Sequence, residues 1–165
     1  MKKTALLFAG QGAQTVGMGR DLCDAYPAAA EIFRRADQVL ERPLSSLTFE
    51  GPDEELTKTV NCQPALYVHG MACLAALRSE LSEFPVHAAA GLSLGEFTAH
   101  AAAGTFDFET GLRLVAQRAT FMQEACDSTE GAMAAFIGAD ENAVRDLAAQ
   151  TDVDVANLNS PGQTV

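Results

Sequence analysis

A serine flanked by two glycines constrains this chain more than any other feature of its sequence. In the stretch AAAGLSLGEFTAH, residues 88–100, Ser93 lies two residues after Gly91 and two before Gly95. This spacing is typical of a nucleophile elbow, a sharp strand-to-helix turn that exposes a serine hydroxyl. Such a turn needs residues without a Cβ where strand and helix approach closely. The helix that starts at the serine also presents free N–H groups, which stabilise a developing anion.

The composition is that of a globular protein with a buried core, since 48% of the 165 residues are hydrophobic and 20% are charged. A formal net charge of −11 argues against nucleic-acid binding, because neutralising phosphates requires clustered lysines and arginines. No segment has the length of a membrane span or of a secretory signal, so we expect a cytoplasmic protein without membrane contact. The four cysteines form no CxxC pair, and we expect reduced thiols and no metal site.

Apolar runs that alternate with helical patterns predict an α/β fold with a parallel sheet. Thr4–Ala9 is typical of a buried parallel strand and leads into a glycine loop around Gln11. Val86–Ala90 predicts the strand that feeds the elbow. Proline, glycine and capping signals predict the remaining segments. These are a short helix at 18–23, a helix from Pro27, a loop after Pro43, an acidic helix up to Thr57, a helix from Pro64, the elbow helix up to Gly104 and a helix from Asp107 to about Ala125.

A polar, glycine-bearing segment after residue 127 predicts a domain boundary, with a core at 1–127 and a smaller subdomain at 128–165. The second part predicts a strand at 132–137, a helix at 140–149, a strand at 152–157, a turn at 159–162 and the start of a third strand. This order is the first part of a βαββαβ unit. Because the sequence stops as a strand begins, we expect the chain to be shorter than the fold it encodes.

Arg118 lies on the apolar side of the last helix of the core. The residues one turn away from it are Leu114, Val115, Phe121 and Met122. A guanidinium among apolar side chains is costly unless an anion meets it. Two interpretations remain open. Arg118 either extends to solvent or pairs with a carboxylate of the protein, or it is a bidentate clamp for a substrate carboxylate.

Together these residues give the chain a resemblance to the bacterial malonyl-CoA:acyl carrier protein transacylases of fatty-acid synthesis. The resemblance covers the chain from end to end. The segments that carry it, in order, are FAGQGAQ at 8–14, QPA at 63–65, GLSLGE at 91–96, Arg118 with FMQEA at 121–125, and NLNSPGQ at 157–163.

The resemblance implies a fold and a reaction. The fold is an α/β-hydrolase-like core with a nucleophile elbow, followed by the first part of an inserted ferredoxin-like subdomain. Ser93 would attack the thioester of malonyl-CoA and carry the malonyl group as a covalent acyl-enzyme. The group would then pass to the phosphopantetheine thiol of acyl carrier protein. Malonyl-CoA is a substrate in this scheme, and no cofactor is expected.

The resemblance also assigns roles to further site residues. The backbone N–H groups of Gln11 and Leu94 would form the oxyanion hole. Arg118 would hold the malonyl carboxylate. Asn159 and Gln63 match segments near the family's active site, and each is either functional or structural.

The family's catalytic histidine is expected in a segment beyond Val165, and none of the three histidines present is a good substitute. His100, for example, lies seven residues after Ser93 on the same helix, about 10 Å away by helical rise. Two alternatives therefore stay open beside the transacylase. The chain is either a serine hydrolase that uses the same elbow, or an inactive fragment that only binds CoA or carrier protein.

Overall fold

The structure is a computed structural model that describes residues 3–81 and 83–165. The chain divides into two compact units, Met1–Asp127 and Ser128–Val165. The mixed α/β class and the parallel pairing that the sequence predicts are confirmed. The elements of the first unit are β1 (Ala5–Phe8), α1 (Arg20–Ala25), α2 (Pro27–Leu40), α3 (Leu44–Glu50), α4 (Asp53–Thr57), α5 (Thr59–Glu80), β2 (Ala88–Gly91), α6 (Leu94–Ala102) and α7 (Phe108–Ser128), whose last residue lies past the division.

Strands β1 and β2 form a parallel pair in which Ala5 lies opposite Ala88 and Phe8 lies opposite Gly91. Because parallel strands end at the same edge, the segments that follow the two strands leave the sheet side by side. The first of these segments is the glycine loop and the second is the elbow. The prediction that β1 is buried is wrong for Leu7, whose exposed fraction is 81%, because no described element covers that side of the strand.

Helix α5 is the centre of the hydrophobic core, and every residue from Asn61 to Val68 is buried. The prediction that Pro64 begins this helix is wrong. The helix begins at Thr59, and Pro64 lies inside it. A proline at this position removes one backbone hydrogen bond, because its nitrogen carries no hydrogen to donate to the carbonyl four residues earlier.

An arginine from outside the helix replaces the missing donor. Arg42 Nη2 donates to the Val60 carbonyl, the group that Pro64 leaves without its helical partner, at 2.9 Å. Arg42 Nη1 donates to Asn61 Oδ1 at 2.5 Å. Desolvation lowers the pKa of Arg42 from its ordinary value, which reflects its partly buried position. The guanidinium thus allows the helix to run through the proline.

A short helix, α3, occupies part of the segment that the sequence predicts as a loop after Pro43. Its first turn is stabilised by a carboxylate from α2. Asp37 accepts hydrogen bonds from the backbone N–H and the hydroxyl of Ser45. The predicted acidic helix up to Thr57 is present as α4. The cap of α3 comes from a different helix, which is why local sequence signals do not indicate it.

The second unit contains one helix and three short strands. Its elements are β3 (Phe136–Ile137), α8 (Glu141–Thr151), β4 (Leu158–Ser160) and β5 (Gln163–Thr164). The strand order is β3-β5-β4, with both pairings antiparallel. The predicted strand at 152–157 is wrong. Asp152 adopts a left-handed conformation that ends α8, with φ of 57°, so the extended segment begins later.

None of the helices within 3–81 and 83–165 combines the length and the apolar composition that crossing a bilayer requires.

Replacing Arg42 with methionine should destabilise the first unit by about 2 kcal/mol, because the carbonyl of Val60 and the amide of Asn61 lose a charged donor. The matched control is Arg34→Met, which removes only an exposed pair with Glu31 and should cost well under about 1 kcal/mol. Urea unfolding followed by tyrosine fluorescence measures this, since the chain has no tryptophan and both tyrosines, Tyr26 and Tyr67, lie in the first unit. Equal midpoints for the two variants would contradict the role of Arg42.

Candidate active site

Ser93 lies in a strained turn between β2 and α6. Its φ of 52° and ψ of −101° place it in a region that residues with a side chain rarely adopt. Strain of this kind persists only where the surrounding structure enforces it, and it is concentrated at functional sites. Helix α6 begins at the next residue, so the exposed Ser93 side chain stands at the positive end of a helix.

The two glycines of the motif are required by close contacts between backbones. A Cβ added at Gly91 would lie 2.0 Å from the carbonyl carbon of Gly95. A Cβ added at Gly95 would lie 2.3 Å from the carbonyl oxygen of Phe8, at the end of β1. Backbone atoms cannot move aside as a flexible side chain does. The spacing of the glycines therefore fixes how closely α6 packs against the strands.

The glycine loop after β1 lies against the elbow. A Cβ added at Gly10 would lie 2.6 Å from the carbonyl oxygen of Leu92, and the Leu92 N–H donates to the Phe8 carbonyl at 3.4 Å. The backbone N–H groups of Gln11 and Leu94 donate no hydrogen bond to any residue that the structure describes. Both donors are therefore free to bind an oxygen atom of a ligand.

Arg118 reaches the serine from helix α7. Its Nη2 donates to Ser93 Oγ at 2.7 Å, and its Nη1 donates to Gln63 Oε1 at 2.5 Å. Its Cζ lies 5.6 Å from the centre of the Phe97 ring. Within 3–81 and 83–165, Arg118 forms no ion pair with a carboxylate. Its charge therefore stands beside the serine hydroxyl without an opposite charge from these residues.

The apolar surroundings that the sequence predicts for Arg118 are only partly present. Val115 is fully buried, but Leu114, Phe121 and Met122 have exposed fractions of 41%, 59% and 38%. The buried face of α7 is narrower than the apolar face that the sequence predicts, and these three side chains lie outside the buried face. The buried residues of α7 are Phe108, Gly111, Leu112, Val115 and Ala119.

Gln63 links Arg118 to the glycine loop. Its side chain is fully buried in α5, and its Nε2 donates to Gln11 Oε1 at 3.0 Å and to Met122 Sδ at 3.3 Å. Gln11 Nε2 donates in turn to Thr59 Oγ1 at 3.2 Å. The resemblance singles out Gln63 as either functional or structural, and a glutamine in a fully buried helical segment signals that specific polar partners are near.

A comparison with known families agrees with this geometry. A family model described as an acyl transferase domain matches residues 5–165.

The chain belongs to the acyl transferase family.

Several relatives within this family are similar over the whole chain. The malonyl CoA-acyl carrier protein transacylase of Bacillus subtilis is 45% identical over 170 residues, which cover 100% of this chain and 53% of that protein. The solved structure of the transacylase of the same name from Coxiella burnetii has a TM-score of 0.91 at 36% identity, and the match covers 99% of this chain and 52% of that chain. A malonyl-transacylase solved in complex with a type II polyketide acyl-carrier protein has a TM-score of 0.87 at 39% identity.

The chain spans about half the length of the curated and solved relatives it matches.

The histidines of this acyl transferase chain are engaged elsewhere. His100 Nδ1 lies 3.2 Å from Thr105 Oγ1, and His87 Nδ1 accepts from the Thr4 backbone N–H. The third, His69, lies on α5, and desolvation lowers its pKa from the ordinary value. No histidine that the structure describes forms a hydrogen bond with Ser93. Among the same residues, no group of acidic, histidine and cysteine side chains is arranged to hold a metal ion.

Asn159 lies in β4 of the second unit and is exposed. Its backbone belongs to the antiparallel pairing of β4 with β5, and its side chain forms no hydrogen bond with the described residues of that unit. A functional role for Asn159 therefore stays a prediction.

Replacing Gly95 with alanine should destabilise the first unit by about 1–3 kcal/mol, because the added methyl group overlaps backbone atoms of β1. Gly131→Ala is the matched control, since a Cβ there meets no atom within 4 Å. Urea unfolding of both variants measures the difference. A Gly95→Ala protein as stable as the control would show that the contact between α6 and β1 is not tight.

Proposed function

We propose that this chain carries the nucleophile, oxyanion donors and carboxylate clamp of an enzyme that transfers malonyl groups from malonyl-CoA to acyl carrier protein. The observation that carries the proposal is the hydrogen bond of 2.7 Å between Arg118 Nη2 and Ser93 Oγ. It places next to the nucleophile a guanidinium that pairs with no carboxylate of the described residues. A malonyl group, which bears its own carboxylate close to the reacting carbonyl, matches this pairing.

The first half of the proposed reaction forms an acyl-enzyme. Ser93 Oγ attacks the thioester carbonyl carbon, a bond forms between this oxygen and the carbon, and the carbon–sulfur bond breaks as CoA leaves as the thiol. The hydroxyl proton passes to a general base, which the resemblance assigns to a histidine outside this sequence, and from this base to the departing sulfur of CoA. The N–H groups of Gln11 and Leu94 and the positive end of α6 stabilise the oxyanion. Removing one such donor typically costs about 10²–10³ in rate.

The second half returns the serine to its free form. The phosphopantetheine thiol of acyl carrier protein attacks the ester carbonyl, the acyl–oxygen bond breaks, and Ser93 regains its proton. The names of the relatives, which are transacylases acting on malonyl-CoA and acyl carrier protein, support both substrates. The proposal requires no bound cofactor and no metal ion, and a cytoplasmic location stays a prediction.

The proposal also includes the finer fold description, an α/β-hydrolase-like core at 1–127 and an incomplete ferredoxin-like subdomain at 128–165. The second unit supports the latter. Strands β3 and β4 are joined through α8, and β5 lies antiparallel between them. This is the arrangement of a split βαβ motif, with which a βαββαβ unit begins.

Replacing Ser93 with alanine should abolish the malonyl adduct that forms when the chain is exposed to malonyl-CoA, because the attacking oxygen is lost. Intact-mass spectrometry after a short incubation measures the adduct, and Ser46→Ala, a serine on the surface of α3, is the matched control. An adduct that survives in Ser93→Ala would disprove the nucleophile.

The same measurement separates the alternatives. If the wild-type chain binds malonyl-CoA but gains no malonyl group, the chain only binds its ligand. The observation that favours this alternative is that the three histidines contact residues other than Ser93. If the chain instead consumes simple esters without carrier protein, it is a hydrolase.

Replacing Arg118 with methionine should weaken binding of malonyl-CoA by about tenfold or more and leave acetyl-CoA within about twofold, because only malonyl carries the second carboxylate. Isothermal titration in the Ser93→Ala background measures both constants without turnover. Arg113→Met, an exposed arginine on the opposite face of α7, is the control. An unchanged ratio of the two constants would contradict the clamp.

A further inference from the structure

Gln63 is a polar side chain in the most buried part of the first unit. It has no exposed surface, and its neighbours from Asn61 to Val68 are buried as well. A buried amide must satisfy both its carbonyl and its NH₂ group, or it costs the full desolvation penalty of the unpaired end. The partners of both ends are residues of the candidate site. The carbonyl accepts from Arg118, and the NH₂ group donates to Gln11 Oε1 and Met122 Sδ.

The chemistry of Arg118 fixes the direction of this chain of hydrogen bonds. A guanidinium only donates, so the carbonyl of Gln63 must face Arg118 and its NH₂ group must face Gln11. The carbonyl of Gln11 then accepts, and its own NH₂ group donates to Thr59 Oγ1. Reversing either amide would place two donors against each other. Each side chain therefore has one orientation, and Arg118 sets it for the whole chain.

We infer that Gln63 is a positioning residue that links recognition of the acyl carboxylate by Arg118 to the glycine loop that carries Gln11. The inference rests on the proposed function. Gln63 binds one arm of the Arg118 guanidinium while the other arm reaches Ser93 Oγ, and it anchors the side chain of Gln11, whose backbone N–H is a proposed oxyanion donor. Gln63 does not touch the substrate. Through Gln63, the position of the Arg118 guanidinium and the position of the glycine loop depend on each other.

The first test replaces Gln63 with methionine, which keeps the length and volume of the side chain and removes its three hydrogen bonds. In the Ser93→Ala background, isothermal titration gives the dissociation constants for malonyl-CoA and acetyl-CoA. Both ligands share the CoA moiety, so their ratio isolates the acyl carboxylate. We expect the preference for malonyl-CoA to fall by about tenfold. The control is Gln117→Met, an exposed glutamine adjacent to Arg118 in sequence, which should keep the ratio.

The outcomes separate this inference from the proposed function. If the chain with Gln63 intact binds malonyl-CoA no more tightly than acetyl-CoA, Arg118 is not a carboxylate clamp, and both the proposed function and the inference are wrong. A chain that shows the preference and keeps it in Gln63→Met overturns the inference alone, while the clamp stands. Loss of the preference in a variant with an unchanged circular dichroism spectrum supports the inference.

A second variant keeps the test decisive if Gln63→Met does not fold. Gln63→Glu retains the volume and the acceptor oxygen toward Arg118, but its carboxylate neutralises the guanidinium. We expect its ratio of the two constants to fall to that of Arg118→Met. A Gln63→Glu protein that still prefers malonyl-CoA would show that Gln63 does not act through Arg118.

A double-mutant cycle tests the link to the loop. If Gln63 joins the two sites, Gln11→Met and Arg118→Met should have non-additive effects on malonyl-CoA affinity, with a coupling of at least about threefold. The coupling should disappear when the cycle is repeated with Gln63→Met present. A coupling that persists without Gln63 would overturn the link, and so would additive effects in its presence.

Discussion

The close approach of α6 to the end of β1 is the contact on which the site depends. Because Gly91 and Gly95 carry no side chain, the helix packs directly against backbone atoms, and Ser93 is left in a conformation it would not adopt in a free chain. The same packing brings the glycine loop against the elbow, so that the N–H groups of Gln11 and Leu94 lie in adjacent segments. The arrangement of the donors is therefore a consequence of backbone packing and not of side-chain flexibility.

A second constraint runs through the buried part of α5. Pro64 interrupts the helical hydrogen bonds, and Arg42 supplies the donor from outside. This keeps the residue before the proline, Gln63, on a continuous helix whose position is fixed by core packing. The chain of hydrogen bonds from Thr59 through Gln11, Gln63 and Arg118 to Ser93 thus passes through the hydrophobic core at Gln63, where side chains have little freedom to move.

The elements that the sequence predicts well are those with local signals, namely the parallel strands, the elbow and the capped helices. The failures have distant causes. The start of α5 depends on Arg42, 18 residues before the carbonyl that it binds, and the presence of α3 depends on Asp37, 8 residues before Ser45. Ser93 and Arg118 were singled out from spacing and periodicity, and the structure brings them together, while their roles stay predictions. The partners of Gln63 were not predictable, because a helix buried on all sides has no periodic pattern to interpret.

The hydrogen bond from Arg118 to Ser93 has a consequence for the serine proton. A hydroxyl oxygen that accepts from a guanidinium has one lone pair occupied, so its own hydrogen must point away from the donor. Arg118 thus occupies one side of the hydroxyl oxygen, and any acceptor of its hydrogen lies on the opposite side.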